Sequence, residues 1–377
     1  MFSSARLLLR QRPRFVSPAL RSSSSYTPPP LSTGVARQAA FAVGVAGLSL
    51  GAAAYYTNKD TLDRQAEAGY FSWRRLASSS TGGLQPSLAK QRWDEVYSDV
   101  SKWIQAVGQD NRLAVILAQN WLEMSEAKRT AAGLIGVFGG VWLAWRLPRR
   151  LGLGKWLAHD AMSGKSVTML TSTFSHRTIP HLAFNSIALF SFTTAAFGTF
   201  NFSELMSTES LPRSTSRYEF LAFFVTTGLV ASLASHAWFA RRVAGRLLAQ
   251  GVPSAQVRQT VLPSLGASGA VYAIVSLSAL SFPSTSVSLI FLPFFPIPIG
   301  LATSALLIVD LVGLIRGWAY LDHAAHLAGA LAGGAYWLFG HEAFEALRRL
   351  MWDTQKREKE RELAEQKKAG QGRWISL

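Results

Sequence analysis

The sequence predicts an all-α membrane protein in which one N-terminal transmembrane helix precedes a core of six, a one-plus-six arrangement. Of the 377 residues, 49% are hydrophobic and only 16% are charged, whereas soluble domains carry about 25% charged residues. The hydrophobic residues are gathered into successive runs of a length suited to helices that cross a bilayer. The chain contains no Cys, which excludes disulfides, iron–sulfur clusters and catalysis by a thiol.

The first 37 residues have the composition of a mitochondrial transit peptide. They are rich in Arg and Ser, and no acidic residue precedes Asp60, which is typical of such peptides. A secretory signal peptide fits less well, because this segment has no compact apolar core. The net charge of +16 would also suit nucleic-acid binding, but the long apolar runs downstream argue against a nucleic-acid partner.

The first apolar run, residues 38–58, is uncharged and predicts the N-terminal transmembrane helix. Residues 59–130 follow as a polar linker with nearly balanced charge. Within the linker, apolar residues recur at helical spacing and predict an amphipathic helix; they are Trp93, Val96, Val100, Trp103 and Val107. This pattern fits a helix lying on the bilayer surface or against the core, and it fits equally a helix packed in a small soluble subdomain.

Residues 131–340 predict the six-span core. Its spans are expected at 131–147, 179–200, 220–240, 265–282, 297–317 and 324–340. The Pro-containing segment 282–298, between the fourth and fifth spans, predicts a loop near the membrane surface. Residues 341–377 begin with a helical pattern and continue through a mixed-charge run, which predicts a solvated helix or a disordered tail.

Loop charges predict the orientation of the spans. The loops after the first and third core spans are rich in Arg and Lys, whereas the loop after the second is balanced. By parity, the two basic loops lie on the same side of the membrane as the basic N-terminus. The positive-inside rule makes that side the matrix of the mitochondrial inner membrane and places the C-terminus in the intermembrane space.

Three polar motifs open alternate core spans. Ser268, between Gly266 and Gly269, opens the fourth span; His326 opens the sixth; and His181 and Asn185 open the second. These three spans run in the same direction, so the polar side chains are expected at a similar shallow depth at one end of the bundle. Ionisable residues inside spans are costly and usually mark a functional interior.

These residue types fit hydrolysis by an activated serine. A serine hydroxyl is a poor nucleophile until a base removes its proton, and a neutral imidazole can do so. We therefore assign Ser268 as the nucleophile and His326 as the general base. Candidate donors to the oxyanion of the tetrahedral intermediate are His181, the Asn185 amide and the Ser268 backbone N–H.

Further residues are expected to support this pair. Tyr272, one turn after Ser268, is placed to stack on the His326 ring and fix its orientation without a carboxylate. Gly329 and Gly333 form a small-residue seam that would let the sixth span lie close to the fourth. Taken alone, Ser268 between glycines also fits a plain helix-packing contact, and it is the other two motifs that favour a catalytic site.

Two acidic residues near this site admit more than one role. Asp322, one turn before His326, either orients that histidine or caps the N-terminus of the helix. Asp310 lies within the fifth span, about as deep as His326 by residue count, and the sequence names no partner for it.

Other histidines are expected to be interfacial polar residues rather than ligands, namely His323 and His176. A zinc site built from His181, His323 and His326 is conceivable. However, the chain has neither a His-Glu-x-x-His motif nor a cluster of carboxylates. We therefore expect no metal and no other cofactor.

Taken together, the three motifs resemble those of the rhomboid intramembrane serine proteases. They are His-x-x-x-Asn at 181–185, Gly-Ala-Ser-Gly with a Tyr at 266–272, and Ala-His-x-x-Gly-x-x-x-Gly at 325–333. The extra N-terminal span and the Asp-His-Ala-Ala-His run at 322–326 are similar to the mitochondrial branch, the presenilin-associated rhomboid-like proteases. The resemblance covers about residues 131–340. It implies the rhomboid six-helix fold and a Ser268–His326 dyad.

The resemblance also implies partners. Proteases of this family cleave single-span proteins of the inner membrane, including a dynamin-like GTPase of mitochondrial fusion and cytochrome c peroxidase. The alternative is a catalytically silent rhomboid relative that binds or escorts membrane proteins; such relatives typically lack the Ser or the His, and this chain has both. A transporter would call for internal repeats or a continuous polar path, and the sequence shows neither.

Overall fold

The computed structural model of the chain describes residues 34–67, 84–108, 111–206, 211–260, 262–289, 292–318 and 320–372. Residues 1–33 of the predicted transit peptide lie outside these ranges, as do residues 68–83 of the predicted linker. The described part of the chain is built almost entirely from helices.

We label the longer helices α1 to α10 and the two strands β1 and β2. They are α1 (Ala36–Glu67), α2 (Leu84–Val107), α3 (Arg112–Glu123), α4 (Glu126–Ala144), α5 (Ile179–Met206), α6 (Arg217–Ala237), α7 (Ser268–Ser281), β1 (Ser286–Leu289), β2 (Leu292–Pro298), α8 (Ile299–Arg316), α9 (His323–Ala335) and α10 (His341–Gly372). Short helices lie at Arg149–Leu151, Gly154–Leu157, Thr168–Thr173, Gly245–Ala249 and Ser254–Thr260. Stretches of π-helix extend α6 through Trp238–Ala244 and α9 through Tyr336–Gly340.

Four of the described helices are long and apolar enough to cross a membrane: α1, Ile179–Asn201 of α5, Arg217–Ala249 and α8. Helix α7 is apolar but has only 14 residues. The predicted class, an all-α membrane protein, is confirmed. The count of one plus six spans remains a prediction.

Two segments differ from the sequence-based expectation. The predicted loop at 282–298 contains an antiparallel pair of strands, β1 and β2, because its β-branched and aromatic residues favour an extended chain and a two-stranded edge tolerates Pro. Helix α1 continues past its predicted end at residue 58 as far as Glu67. Its polar last turns still bury one face, which includes Thr61 and Leu62, and this burial keeps them helical.

Helix α7 lies at the centre of the bundle. It contacts α5, α6, α8 and α9, and nine of its 14 residues are buried. Phenylalanine rings from α4, α5 and α6 fill the surrounding core, namely Phe138, Phe197, Phe200, Phe220, Phe223 and Phe224. The residues on either side of Ser268 are also buried, so α7 begins inside the bundle.

Helix α1 packs along the outside of this core, against α6 and α10. The predicted amphipathic helix falls within α2, where Val100 is buried while Trp103 and Val107 are exposed. Arg64 of α1 binds the Glu95 carboxylate of α2 through two hydrogen bonds, at 3.1 and 2.8 Å.

Candidate active site

Ser268 is the first residue of α7, and a tight turn precedes it. In this turn Gly266 has a φ of +125°, a conformation that residues with a side chain rarely adopt. The Gly266 N–H donates to the Ser172 carbonyl at 2.9 Å. A Cβ on Gly266 would lie 2.6 Å from the ring of His181. Glycine is therefore needed at 266 both for the backbone turn and for the contact with His181.

His326 reaches Ser268 from the first turn of α9. Its Nε2 lies 2.9 Å from the Ser268 Oγ, which is a hydrogen-bond distance. The Tyr272 ring stacks on the imidazole, with centroids 4.3 Å apart and planes inclined by 9°, as its position one turn after Ser268 predicts. His326 is 5% exposed, so the imidazole and the hydroxyl meet in a largely desolvated place.

Glycines allow the contact between His326 and Ser268, because they place no side chain between α7 and α9. A Cβ on Gly329 would lie 2.0 Å from the carbonyl oxygen of Gly269, and a Cβ on Gly333 would lie 2.2 Å from that of Ala273. Both distances are far inside van der Waals contact, so the two helices touch backbone to backbone. The predicted glycine seam is present, and it fixes the separation of the helices that carry Ser268 and His326.

The carboxylate of Asp310 lies on the other side of the His326 ring. Its Oδ1 accepts hydrogen bonds from Nδ1 of His326 at 3.0 Å and from Nδ1 of His323 at 2.6 Å. All three residues are 5% exposed or less. The expectation that His323 is an interfacial polar residue is therefore wrong: the i, i+3 spacing of the two histidines turns both toward α8. That spacing, with an acid at equal depth in the preceding helix, is the signal that could have found this contact.

The predicted oxyanion donors lie at the same end of the bundle. Asn185 is 6% exposed, and its Nδ2 donates to the His181 carbonyl at 2.9 Å; because an amide nitrogen carries two N–H groups, this bond occupies one of them. The Ser268 N–H belongs to the first turn of α7, where backbone N–H groups have no acceptor within the helix. The helix dipole also favours negative charge at this position.

His176 lies behind the turn and is buried, whereas an interfacial polar residue would be exposed. Its ring is fully buried against Phe138, with centroids 4.8 Å apart, and His181, with centroids 5.0 Å apart. Burial, assisted by the nearby His181, lowers the pKa of His176 to about 4. The neutral ring can then accept a bond at Nε2 from the Ala267 N–H, 3.4 Å away, and so supports the turn that holds Ser268.

Asp322 caps α9, which confirms one of its two predicted roles. Its carboxylate accepts from the Ala325 N–H at 3.1 Å and from the hydroxyls of Ser235 and Ser264, each at 2.6 Å. The cap therefore also ties the end of α6 and the segment before α7 to the start of α9. The carboxylate that hydrogen-bonds to the His326 ring is that of Asp310.

Within the described residues, the potential metal ligands at this site are Asp310, His323 and His326, whose ligand atoms lie within 4.8 Å of one another. This group differs from the zinc alternative, which includes His181. The Asp310 oxygen accepts a hydrogen bond from each of the two Nδ1 atoms, and the second nitrogen of His326 bonds to Ser268. Nε2 of His323 is buried and has no hydrogen-bond partner in the part of the chain that the structure describes, whereas the other three imidazole nitrogens of this group are hydrogen-bonded. A separate polar cavity of about 20 Å³ borders Ser268, enough for about one water molecule.

Comparison with known proteins gives consistent matches. The model of the rhomboid domain matches residues 163–343. The chain is 27% identical over 308 residues to the presenilin-associated rhomboid-like protein, mitochondrial, of Rattus norvegicus, covering 80% of this chain and 66% of that protein. It is 29% identical over 226 residues to rhomboid protein 1, mitochondrial, of Saccharomyces cerevisiae, covering 59% of this chain and 56% of that protein. The chain thus spans less than two thirds of the length of these relatives.

Proposed function

We propose that this chain, which matches the rhomboid domain over residues 163–343 and resembles mitochondrial rhomboid-like proteins, is an intramembrane serine protease of the mitochondrial inner membrane. The observation that carries this proposal is the 2.9 Å contact between Nε2 of His326 and Oγ of Ser268. In the proposed reaction, Ser268 attacks the scissile carbonyl and His326 takes the hydroxyl proton. His326 then returns that proton to the leaving amine.

The surroundings of the pair support this chemistry. The His326 ring is held between α7 and α8, with the Tyr272 ring stacked on one face and Asp310 bonded to Nδ1, so little of its rotational freedom remains to be lost on reaction. Hydrogen bonds are electrostatically stronger in a desolvated place than in water. The polar cavity beside Ser268 offers a place for the water that completes hydrolysis.

We assign stabilisation of the oxyanion to the Ser268 N–H, His181 and Asn185. Asn185→Ala is expected to lower kcat by about 10²–10³-fold, the usual effect of removing one such donor, with a much smaller change in KM. Kinetics on a reconstituted substrate measure both constants, and Ser186→Ala, the neighbouring position on α5, is the control. A large rise in KM at unchanged kcat would instead assign Asn185 to substrate binding.

The proposed substrates are proteins with a single transmembrane helix in the same bilayer. Ser268 lies where α5, α7 and α9 begin, and the positive-inside rule orients that end toward the matrix. A helical peptide bond is shielded by its own hydrogen bonds, so the cleaved segment must leave its helix to reach Ser268. We therefore expect cleavage near the matrix-side end of the substrate helix.

Ser268→Ala and His326→Ala test the proposal most directly. In the full chain, solubilised in detergent, a fluorophosphonate probe should label the wild type and neither variant, and both variants should lose proteolysis while keeping the wild-type melting temperature. Ser276→Ala, at a buried position on the same helix, is the control and should keep both properties. A Ser268→Ala protein that cleaves at the wild-type rate would remove the nucleophile assignment. A wild type that neither labels nor cleaves would favour the silent, substrate-binding relative.

A further inference from the structure

Asp310 places a buried carboxylate next to the proposed catalytic pair. It lies in α8, is 1% exposed, and accepts hydrogen bonds from both histidines of the first turn of α9. Helices in lipid can associate through small or weakly polar residues, whereas an ionisable group inside a span is costly and usually functional. The presence of a carboxylate here therefore calls for a reason beyond helix packing.

The contact with Asp310 determines which nitrogen of His326 carries the proton. An ionised carboxylate only accepts hydrogen bonds, so Nδ1 of His326 must be the N–H. This leaves the lone pair of Nε2 facing the Ser268 Oγ, and that is the tautomer a general base requires. Stacking on Tyr272 fixes the plane of the ring but is the same for both tautomers. The carboxylate thus supplies a constraint that the aromatic ring cannot.

We propose that Asp310 is a positioning residue that completes a triad with His326 and Ser268; this inference rests on the proposed function. As Oγ of Ser268 bonds to the scissile carbonyl carbon, the π electrons of the carbonyl move to its oxygen and the hydroxyl proton passes to Nε2. The imidazolium keeps its Nδ1 proton, and the negative Asp310 stabilises the positive ring. When the C–N bond breaks, the Nε2 proton passes to the leaving amine, and Asp310 stays ionised throughout.

His323 holds the carboxylate in place for this role. Its Nδ1 donates to the same oxygen of Asp310 at 2.6 Å. The carboxylate therefore accepts hydrogen bonds from two histidines on one face of α9. The ring of His323 lies directly on α8: a Cβ on Gly313 would stand 2.4 Å from its Cε1 and Nε2. Gly313, almost one turn after Asp310, therefore lets the ring come close enough to make the bond.

The main test is Asp310→Asn in the full chain, reconstituted in liposomes with a single-span substrate. The amide keeps the size of the side chain but lacks the charge, and it can donate to Nδ1 and favour the wrong tautomer. We expect kcat to fall at least about 100-fold while KM stays within about threefold and the melting temperature stays near that of the wild type. Asp310→Glu, which restores the charge, should recover about tenfold over Asp310→Asn. Thr303→Val, also buried in α8, is the matched control and should keep the wild-type kcat.

A purely structural tie between α8 and α9 predicts a different pattern. The kcat per folded molecule would then be unchanged in Asp310→Asn, or activity and melting temperature would fall together with no recovery in Asp310→Glu; either result overturns the inference. If Asp310→Asn does not fold, His323→Phe decides, because it keeps the carboxylate and removes one donor. A kcat about tenfold lower at a near wild-type melting temperature supports the positioning role, and an unchanged kcat overturns it.

These outcomes separate the inference from the proposed function. If the wild type cleaves and labels with the fluorophosphonate probe but Asp310→Asn is equally active, only the role of Asp310 is lost. If the wild type neither cleaves nor labels, both the protease assignment and the triad are lost.

Discussion

Two buried clusters of charged residues lie at opposite ends of the helix bundle, and they differ in how their charges are matched. At the end that carries the proposed catalytic pair, here called the catalytic end, Asp310 faces His323 and His326. At the other end, groups that stay charged bond to one another in an arginine–glutamate cluster, formed by Arg213, Glu219, Glu345 and Arg348. Both clusters are almost completely shielded from solvent.

The arginine–glutamate cluster joins four parts of the chain. Arg213, in the segment before α6, bonds to Glu219 of α6 and, at 2.5 Å, to Glu345 of α10. Arg348 of α10 bonds to Glu345 at 2.7 Å and to the Asn58 side chain of α1 at 2.9 Å. The cluster therefore fastens α1 and α10 to the core at the end of the bundle away from Ser268.

Electrostatics explains why the two clusters suit different tasks. Burial alone would raise the pKa of Glu345, but Arg348 and Arg213 outweigh it and hold that pKa below its usual range. Glu345 thus stays ionised at physiological pH, and a cluster of matched, permanent charges has no proton to exchange. At the catalytic end the partner of the carboxylate is an imidazole, which can take up a proton and release it. The comparison shows that a buried carboxylate paired with arginine suits a structural contact, whereas one paired with histidine suits the proton transfer that we propose.

Among the variants that test this comparison, Gly329→Ala is expected to lower activity the most, and it acts at the catalytic end alone. The new methyl group would overlap the Gly269 carbonyl, since a Cβ at 329 lies 2.0 Å from that oxygen, so α7 and α9 must separate. A displacement of about 1 Å can lower a rate about 100-fold, and we expect at least this loss in kcat/KM. Overpacking also destabilises by about 1–3 kcal/mol, which a melting curve in detergent would detect.

Gly334→Ala is the matched control for Gly329→Ala. A Cβ at 334 meets only the Leu280 side chain, at 3.7 Å, an ordinary contact, and Ala is a better helix former than Gly. We expect wild-type activity and equal or higher stability. Equal activity in Gly329→Ala and Gly334→Ala would show that backbone contact between α7 and α9 does not set the geometry of the site.

Much of the catalytic end could be predicted from the sequence because it depends on spacing along single helices. The direction of each span puts Ser268 and His326 at one depth, helical periodicity puts Tyr272 on the His326 side, and the interval between Gly329 and Gly333 marks one helix face. The structure brings these residues together as expected. Their catalytic roles remain proposals.

The contacts that were missed depend on how one helix is rotated against another, which spacing does not reveal. The sequence indicates no partner for Asp310, because packing decides which face of α8 contacts α9. That packing includes the approach of His323 to Gly313. The arginine–glutamate cluster was missed for a related reason. The charges between the second and third spans balance in sequence, and nothing local shows that Arg213 pairs with Glu345, 132 residues away.

Glu345→Gln is expected to disrupt the arginine–glutamate cluster and to leave the activity of the Ser268 site unchanged. It removes the carboxylate that Arg213 and Arg348 share, and breaking a buried ion pair from one side destabilises by about 3–5 kcal/mol. Unfolding titrations in mixed micelles measure this loss, and active-site labelling with a fluorophosphonate counts the folded molecules. We expect kcat per labelled molecule to equal that of the wild type, in contrast to Asp310→Asn. A fall in kcat per labelled molecule would show that the two ends are coupled.

The smallest effect is expected when both sides of one pair are removed together, in Glu345→Leu with Arg348→Met. Arg213 keeps Glu219 as its partner, so no buried charge is left unmatched. Replacing a buried ion pair by apolar side chains of similar volume is often neutral or stabilising. Asn58 and the Pro212 carbonyl do lose a donor, so we expect a net loss of about 1–2 kcal/mol. The double variant should therefore be more stable than Glu345→Gln, with a coupling energy above about 1.5 kcal/mol in the full cycle of single and double variants. The loss of stability in the double variant could instead equal the sum of the losses in Glu345→Leu and Arg348→Met. These residues would then act through separate contacts, and matched charge would not be what stabilises the arginine–glutamate cluster.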